Sequence, residues 1–345
     1  MPCHPQSSLR RLPLVTLLLS ERCNSRCISC DYWRHGRAEV DLKSVRRLLP
    51  SLERLGTRMV LISGGEPLLN PEWEEIAALL GERGLKLWLL TSGLSLAKHA
   101  RQVSTLFDVI TVSLDGADRP TYAAIRGVDA FDVVCRGIRA AVEAGAPVTV
   151  RVTLQRGNFR QLPRFVDLGR ALGVAQVSFL AVDVANTHAF SRREGLVPGL
   201  ALLPEDLPEL ERLLAGLERD QAEAFRTQLI AESADKLRRS ILQYFTALCG
   251  LGPYPPVRCN APEFSAVLDA RGGVSPCFFI AGPAQARITD AQALGEVLNG
   301  EEMAALRQSI RRAERAECSR CVCSMWRDLH DPAAELTPLP VKRSA

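Results

Sequence analysis

The sequence predicts an α/β fold, a partial (β/α)6 TIM-like barrel followed by a small C-terminal α+β domain. Six short apolar runs rich in leucine or β-branched residues alternate with helical segments as far as about residue 185. Polar turn sequences, SGGEP, TSG and SLDG, follow three of these runs. Near-continuous apolar strands joined by crossover helices are typical of a parallel sheet with helices on its outer side. Such sheets place their active sites at the carboxyl ends of the strands, where these turns fall.

Each element of this alternation follows from hydrophobic periodicity. The predicted strands are, in order, LVTLLL, RMVLIS, LKLWLL, DVITVSL, PVTVRVTL and AQVSFLAV. Helices are predicted between the strands at 41–55, 71–82, 95–105, 129–144 and 160–172. Helical sequence resumes at 205–248 and at 301–315.

Four segments are expected along the chain. The partial barrel covers residues 10–190, and a helical linker or lid covers 191–255. The small C-terminal domain covers 256–330 and contains a predicted hairpin, FSAVLDARGGVSPC, whose Arg-Gly-Gly supplies the positive backbone angles of a tight turn. Residues 331–345 are predicted to form a poorly ordered tail.

Composition and charge narrow the class of protein. The 345 residues are 47% hydrophobic, enough to bury a sizeable core. The chain has 43 basic and 39 acidic residues, and its net charge of +4 gives no reason to expect nucleic acid or a membrane as a partner. The apolar run from Leu14 to Leu19 is too short to span a bilayer. We expect a cytoplasmic protein.

The chain has eleven cysteines, clustered at short spacings near both ends. In a large chain without a secretion signal, such clusters indicate metal ligation rather than disulfides. Seven of the eleven fall into two groups. The other four are Cys3, Cys135, Cys249 and Cys323, and Cys135 is expected to be a buried, inert thiol in a helix.

The first cysteine group lies directly after the first strand, in ERCNSRCISCDYW. Cys23, Cys27 and Cys30 are separated by three and then two residues, so a short loop can wrap three thiolates around one iron–sulfur cubane. Three protein ligands leave a fourth iron open, whereas electron-carrying clusters usually have four cysteines. A structural zinc site is the alternative, but zinc loops favour paired two-residue spacings and four closed ligands.

This Cys-x3-Cys-x2-Cys loop resembles the signature of the radical S-adenosylmethionine (SAM) superfamily. The resemblance implies that SAM chelates the open iron of a 4Fe-4S cluster and is cleaved to a 5′-deoxyadenosyl radical, which abstracts a hydrogen atom from the substrate. One position departs from the pattern. The residue before the third cysteine is usually aromatic in the family, and here it is Ser29.

Further motifs resemble the family's SAM-binding positions. The segment that ends the second strand resembles the GGEP motif, in which glycines allow a close backbone approach and the glutamate can accept a hydrogen bond from the SAM ammonium group. Ser113 and Arg126 resemble positions that contact the SAM ribose and carboxylate in SPASM-type relatives. The predicted SAM-binding residues are Ser63, Gly64, Gly65, Glu66, Pro67, Ser92, Ser113 and Arg126. Thr91 is a further candidate near SAM, and Gln155 and Asp183 are candidate substrate contacts.

The second cysteine group resembles the SPASM and Twitch auxiliary-cluster domains. Cys259 and Cys277 flank the predicted hairpin, and Cys318 and Cys321 follow a helix, so four thiolates can close a second 4Fe-4S cubane. Cys323 could replace Cys321. A full SPASM domain carries about seven cysteines for two clusters, so the five here imply one auxiliary cluster, as in the shorter Twitch form. A zinc ribbon on the same four cysteines is the alternative.

These patterns together predict a radical SAM oxidoreductase that oxidises or dehydrogenates a small molecule, with flavodoxin or ferredoxin as reductant. No residue is predicted as the proton acceptor. A peptide-modifying maturase is a second hypothesis, although only a short segment precedes Cys23 where many maturases carry a leader-binding module. A molybdopterin-type cyclase is a third, although PVKRSA lacks that family's Gly-Gly tail. A non-catalytic Fe–S or zinc scaffold is a hypothesis of another class.

Overall fold

The computed structural model describes residues 8–192, 199–288 and 293–329. Cys3, His330 and the predicted tail lie outside these residues. All six predicted strands are present: β1 (Leu14–Ser20), β2 (Met59–Gly64), β3 (Lys86–Thr91), β4 (Val109–Ser113), β5 (Val148–Leu154) and β6 (Gln176–Ala181). The helices that connect them are α1 (Leu42–Arg54), α2 (Trp73–Glu82), α3 (Leu96–Leu106), α4 (Arg119–Arg126), α5 (Phe131–Glu143) and α6 (Leu162–Ala171).

The sheet is parallel from β1 to β6, and each strand pairs with the next one in the chain. Its two edge strands do not pair with each other within the part of the chain that the structure describes, so the barrel is open. The predicted α/β partial barrel is therefore confirmed. The carboxyl ends of the strands meet along one rim, and the predicted site residues follow them.

The two faces of the sheet have different partners. Side chains such as Val60, Ile62 and Leu89 point outward and join the large core formed with the helices. Leu61 and Trp88 alternate with them and point to the inner face, where they pack with Phe264 and other residues of the C-terminal domain. The C-terminal domain therefore covers part of the concave face of the half-barrel.

Helix α4 was not predicted, since only one helix, over 129–144, was expected between β4 and β5. The structure has two helices there, α4 and α5. The Asp118 side chain accepts a hydrogen bond from the Thr121 amide at the start of α4, and Gly127 ends it with φ of 68°. These are standard helix start and stop signals. Because α4 is only 8 residues long, it is shorter than the window over which helical periodicity is read from a sequence.

The region 205–248 is helical as predicted but is broken into short pieces. It contains α7 (Leu207–Asp220), α8 (Ala222–Arg226), α9 (Ala234–Leu237), a π-helical turn (Arg238–Gln243) and α10 (Tyr244–Leu248). Between α8 and α9 the chain runs along the edge strand β6, where the Ala231 amide donates to the Val177 carbonyl at 3.0 Å. This segment covers part of an otherwise open sheet edge.

The predicted hairpin forms, but not as part of a separate segment. Its strands are β7 (Ser265–Leu268) and β8 (Val274–Ser275), and β7 pairs in parallel with β1. The hairpin therefore extends the barrel sheet to eight strands. Three further helices follow: α11 (Leu294–Asn299), α12 (Glu301–Arg311) and α13 (Ala316–Ser319). None of the helices in the described ranges is long and apolar enough to cross a membrane.

Truncation of Phe179 tests how much β6 contributes to the core between the sheet and its outer helices. Its side chain is fully buried and meets the Phe165 ring edge-on, with the ring centroids 6.4 Å apart. We expect Phe179→Ala to lower the free energy of unfolding by about 3–5 kcal/mol, because the truncation leaves a cavity. Urea unfolding followed by circular dichroism measures this change. Leu251→Ala, at a side chain that is 61% exposed, is the control and should change stability by less than about 0.5 kcal/mol.

Candidate active site

The first cysteine group lies in the loop after β1, and its three thiols are half-buried. Backbone amides point at two of the sulfurs: Ser25 N lies 3.5 Å from Cys23 Sγ, and Tyr32 N lies 3.4 Å from Cys30 Sγ. Burial raises the pKa of Cys23 to about 11 and that of Cys30 to about 12. Buried thiols of this kind become thiolates only when a metal compensates the charge. The donor set fits an iron–sulfur cluster.

Two other segments hold this loop by backbone hydrogen bonds. The Arg26 amide donates to the Arg126 carbonyl at 2.9 Å, and the Ile28 amide donates to the Ile125 carbonyl at 3.0 Å, both at the end of α4. On the other side, the Asp31 amide donates to the Phe190 carbonyl at 2.9 Å. The cysteine loop is thus clamped between α4 and the segment that follows β6.

Arg192 joins the segment after β6 to the cysteine loop. Its buried guanidinium donates to the carbonyls of Ser29 at 2.8 Å, Asp183 at 2.6 Å and Asn186 at 3.3 Å. The Asp183 carboxylate in turn accepts from the Asn186 amide at 2.7 Å. Asp183, a candidate substrate contact, therefore serves to shape this segment. No sequence motif indicates Arg192, because its partners are backbone carbonyls, two within the same segment and one, that of Ser29, far along the chain.

The GGEP segment approaches the start of the cysteine loop closely. The Gly65 amide donates to the Ser20 carbonyl and the Glu66 amide to the Arg22 carbonyl, both at 2.7 Å. A Cβ atom on Gly65 would lie 2.2 Å from the Arg22 carbonyl oxygen, and Gly64 has a φ of 128°. We expected the glycines to give the ligand access to the backbone. In the structure they allow two chain segments to pack together.

Glu66 is fully buried and its carboxylate already has three donors. Oε1 accepts from the Thr91 hydroxyl at 2.8 Å and from the Leu68 amide at 3.1 Å, and Oε2 accepts from the Ser92 amide at 2.6 Å. The Ser92 hydroxyl donates to Asn24 Oδ1 at 2.9 Å, within the cysteine loop. Glu66 thus ties the ends of β2 and β3 together. Its predicted bond to the SAM ammonium group stays a prediction.

Arg126 projects from α4 toward the cysteine loop and retains unused donors. Its Nη1 lies 3.1 Å from Asp115 Oδ2, and Asp115 Oδ1 accepts from the Thr153 amide at 2.7 Å. Arg126 Nε and the Tyr122 hydroxyl are buried and have no hydrogen-bond partner in residues 8–192, 199–288 and 293–329. Two unpartnered donors beside the cysteine loop fit a carboxylate ligand such as that of SAM.

The second cysteine group assembles around Cys259, on the inner face of the sheet. The Met325 amide lies 3.4 Å from Cys259 Sγ. Burial and, to a smaller extent, the charges of Cys259 and Cys318 raise the pKa of Cys277 to about 12, so these thiols are neighbours. Across the described ranges, no three His, Cys, Asp or Glu side chains of either group converge closely enough to hold a single metal ion.

Cys321 and Cys323 differ in their surroundings. Cys321 is half-buried, and its sulfur lies 3.4 Å from the Cys323 amide nitrogen. Cys323 is exposed to solvent, and its sulfur has no backbone amide contact of this kind among the described residues. Amide contacts to sulfur are typical of cluster ligands. The structure therefore favours Cys321 over Cys323 as the fourth thiolate.

Two other cysteines and two histidines of the described ranges have packing contacts. Cys135 is buried on α5 as expected, and Cys249 donates to the Leu202 carbonyl at 3.5 Å. His99 meets the Trp73 ring edge-on, and His35 stacks on Tyr32.

An ion pair joins the hairpin tip to the cysteine loop. Arg271 donates to both oxygens of Glu21, at 2.6 and 2.8 Å, and the Ala38 amide donates to Glu21 at 2.9 Å. Burial raises the pKa of Glu21, but Arg271 and Ala38 lower it by more, so the net shift is downward. Neither residue belongs to a recognisable motif. The single cue is an acidic residue directly between a buried strand and a cysteine loop.

Comparison with known proteins agrees with this geometry. Residues 17–168 match the family model of the radical SAM superfamily, and residues 259–322 match that of SPASM, an iron-sulfur cluster-binding domain. A probable GTP 3′,8-cyclase from Methanopyrus kandleri is 33% identical over 209 residues, which are 59% of this chain and 67% of the relative. The chain belongs to the radical SAM superfamily.

Two other relatives match over a smaller share of their length. A PqqA peptide cyclase from Methylorubrum populi is 32% identical over 56% of the chain and 52% of the relative. An Fe-coproporphyrin III synthase from Methanosarcina barkeri is 30% identical over 52% of the chain and 46% of the relative. The chain thus spans about half the length of these two relatives.

Solved structures share the fold. A structure of anSMEcpe with bound AdoMet and Cp18Cys peptide has a TM-score of 0.65 and 17% identity, covering 96% of this chain and 93% of the other. The structure of Streptococcus suis SuiB bound to the precursor peptide SuiA has a TM-score of 0.63 and 16% identity, and the match covers 88% of this chain and 68% of the SuiB chain. The predicted cofactors are confirmed: the protein is a radical SAM enzyme with a SAM-binding 4Fe-4S cluster and an auxiliary iron–sulfur cluster.

Gly65→Ala should disrupt the cysteine loop of this radical SAM enzyme. The new methyl group would clash with the Arg22 carbonyl, which is backbone and is fixed by the bond to Glu66. We expect a loss of about 1–3 kcal/mol in stability and a fall in iron bound to the first cluster. Iron analysis and urea unfolding measure the two effects. Gly81→Ala, in α2 with no atom near its new Cβ, is the matched control and should be neutral or stabilising. Equal iron in both variants would contradict the expected clash.

Arg271→Gln should make stability depend on pH in a new way. In the wild type, the lowered pKa of Glu21 stabilises the fold above its ordinary value of 4.5, and this contribution is lost as the pH falls through the lowered pKa. Without Arg271, burial dominates and the Glu21 pKa rises. The variant should therefore be destabilised most at neutral pH, and the deficit should shrink as the pH falls through the carboxyl range.

Urea midpoints of wild type and variant at about pH 7.5 and about pH 3.5 measure this effect. Arg83→Gln is the control, because it breaks an exposed ion pair with Glu53. Its effect should stay within about 0.5 kcal/mol at both pH values. An Arg271→Gln deficit that is the same at both pH values would rule out the proposed link to Glu21.

Proposed function

We propose that Cys23, Cys27 and Cys30 are the ligands of the SAM-binding cluster. Their thiols lie together in one clamped loop, and two backbone amides point at the sulfurs. The ends of β2, β3 and β4 surround this loop with the predicted SAM-binding residues, which are Ser63, Gly64, Gly65, Glu66, Pro67, Ser92, Ser113 and Arg126. When bound, SAM and its cluster supply a radical that abstracts a hydrogen atom, and the auxiliary cluster supplies an electron acceptor.

Within this site, Arg126 is the residue that we assign to the SAM carboxylate. Asp115 fixes the guanidinium from one side at 3.1 Å, and the unpartnered Nε remains for the ligand. Glu66 holds Ser92 in place through the Ser92 amide, so its main contribution is to the shape of the pocket. Ser113 ends β4 on the inner face of the sheet, two residues before Asp115, the ion-pair partner of Arg126.

The ligands that we assign to the auxiliary cluster are Cys259, Cys277, Cys318 and Cys321. Cys259 packs with Leu61 and Trp88 on the concave face of the half-barrel. The auxiliary domain thus covers part of the concave face, and the first cysteine group lies at the rim of that face. This arrangement carries the proposed function, because a substrate on that face would lie between the two clusters.

We propose that the substrate is oxidised in this space. Removal of a hydrogen atom, followed by loss of one electron and one proton, is a two-electron oxidation of the substrate. Small-molecule dehydrogenation is the reaction that this arrangement supports best, with flavodoxin or ferredoxin as the reductant for the first cluster. The proton acceptor is not assigned.

Peptide modification is the second candidate. It is favoured by similarity to a PqqA peptide cyclase, which is 32% identical over 203 residues. The two candidates differ in substrate size. Deuterium transferred into 5′-deoxyadenosine from a labelled small molecule would support the first, and transfer only from a labelled peptide would support the second.

Cysteine variants test the ligand assignment. After anaerobic reconstitution, we expect Cys23→Ala to form no 5′-deoxyadenosine from SAM and dithionite while keeping the auxiliary iron. Cys321→Ala should lose the auxiliary cluster, and Cys323→Ala should keep it. Iron and sulfide analysis, together with chromatography of 5′-deoxyadenosine, measures these outcomes. Full SAM cleavage by Cys23→Ala would refute the assignment of Cys23 to the first cluster. Loss of auxiliary iron in Cys323→Ala but not in Cys321→Ala would show that Cys323, and not Cys321, is the fourth auxiliary ligand.

A further inference from the structure

Arg151 lies in the middle of β5 on the concave face of the sheet. Its neighbours in sequence, Val150 and Val152, point outward into the core formed with the helices, so Arg151 points the other way. In the parallel register it stands directly between Ser113 of β4 and Ser178 of β6. Paired residues on adjacent strands are about 4.8 Å apart. Arg151 is therefore one strand away from Ser113, a predicted SAM-binding residue.

The Arg151 guanidinium has no partner in the described part of the chain. None of its nitrogens forms a hydrogen bond or an ion pair there, and its buried Nε is unsatisfied. The acids on the adjoining elements are already used. Asp115 binds Arg126 and the Thr153 amide, and Glu232 accepts from the Ser178 hydroxyl at 2.6 Å and the Phe179 amide at 2.9 Å.

Arg151 is half-buried, and a cation partly withdrawn from water is costly unless a negative charge lies near it. Proteins retain such a cation where a ligand supplies that charge. Two neutral groups along β5 show the same lack of partners. Thr149 Oγ1 and Gln155 Nε2 are buried and unsatisfied among the described residues, and their side chains are 0% and 1% exposed. Thr149 lies on the same face as Arg151, two residues earlier, and Gln155 follows the end of the strand. Unpaired polar groups at three positions of one strand indicate a ligand rather than a local defect.

The position of Arg151 relates it to both clusters. Ser113 lies on one side of it, toward the SAM site. The auxiliary domain covers part of the same concave face, where Cys259 and Phe264 pack with Leu61 and Trp88. Arg151 therefore shares this face with the auxiliary domain, where the proposed function places the substrate.

We propose that Arg151 binds an anionic group of the substrate, a carboxylate or a phosphate. A guanidinium presents two parallel N–H groups that match either anion, and this fixes the orientation of the ligand as well as its charge. Gln155 and Thr149 donate to or accept from neighbouring polar atoms of the same substrate. The inference rests on the proposed function, because it assigns a substrate class to the same cavity.

The test uses inorganic phosphate and acetate as probes on the reconstituted protein with SAM bound. Thermal unfolding is followed at increasing probe concentration, with sodium chloride adjusted to hold ionic strength constant. A ligand that binds only the folded state raises the midpoint in a saturable manner. We expect saturable stabilisation of the wild type by at least one probe and an apparent affinity at least about tenfold weaker in Arg151→Gln. The stronger probe identifies the anion class.

Two further variants keep the outcome interpretable. Arg151→Lys retains the positive charge but not the two parallel N–H groups of the guanidinium. It should therefore bind the anionic probe more weakly than the wild type and more strongly than Arg151→Gln. Arg136→Gln, at an exposed arginine on the outer helix α5, removes the same charge and should respond like the wild type. Iron content and circular dichroism establish that each variant is folded and loaded.

Three results would overturn the proposal. They are no saturable response in the wild type, an equal response in Arg151→Gln, or an unchanged response together with a shifted reduction potential of the auxiliary cluster. The last result would show that the charge of Arg151 serves the cluster. SAM cleavage by the wild type, assayed separately as 5′-deoxyadenosine, tests the proposed function. A failure of the anion site at Arg151 is therefore distinguishable from a failure of the proposed function.

Discussion

The cysteine loop after β1 has almost no regular structure of its own, and its shape depends on backbone hydrogen bonds from three other segments. The GGEP turn holds its start, the end of α4 holds its middle, and the segment after β6 holds its end. Each contact is a close approach of main chain to main chain. At Gly65 and Gly127 a Cβ atom would lie 2.2 Å from a carbonyl oxygen of the loop. The spacing of the three thiols is therefore set by segments that are distant in sequence.

The sequence patterns predicted the six strands, the parallel sheet and both cysteine groups, because apolar periodicity and cysteine spacing are local signals. They also marked the GGEP glycines, whose predicted approach to SAM stays a prediction, but not the contact that these glycines make with the cysteine loop. The glycines admit another stretch of chain, and the buried carboxylate of Glu66 joins two strands. A motif marks where a constraint lies, whereas the contact that imposes it depends on which segments meet in the fold.

Other features had no local signal. Arg192 reaches Ser29, 163 positions away, and Arg271 reaches Glu21, 250 positions away, so no local pattern marks these ordinary charged residues. The parallel pairing of β7 with β1 was missed for the same reason, since a hairpin motif describes how two strands pair with each other and not which third strand they join. Arg151 was passed over because a single charge in an apolar strand gives no indication of whether it is paired.

The sheet extension and the ion pair have a joint consequence for the two clusters. β7 begins shortly after Cys259, and β8 ends shortly before Cys277, so the auxiliary ligands are attached to strands that continue from β1. Arg271 at the tip of the same hairpin binds Glu21, two residues before Cys23. A rotation of the auxiliary domain would have to break strand pairing as well as this ion pair. The two cysteine groups are therefore held as parts of one framework, which suits a substrate bound between them, because its distance to each group is fixed by the sheet itself.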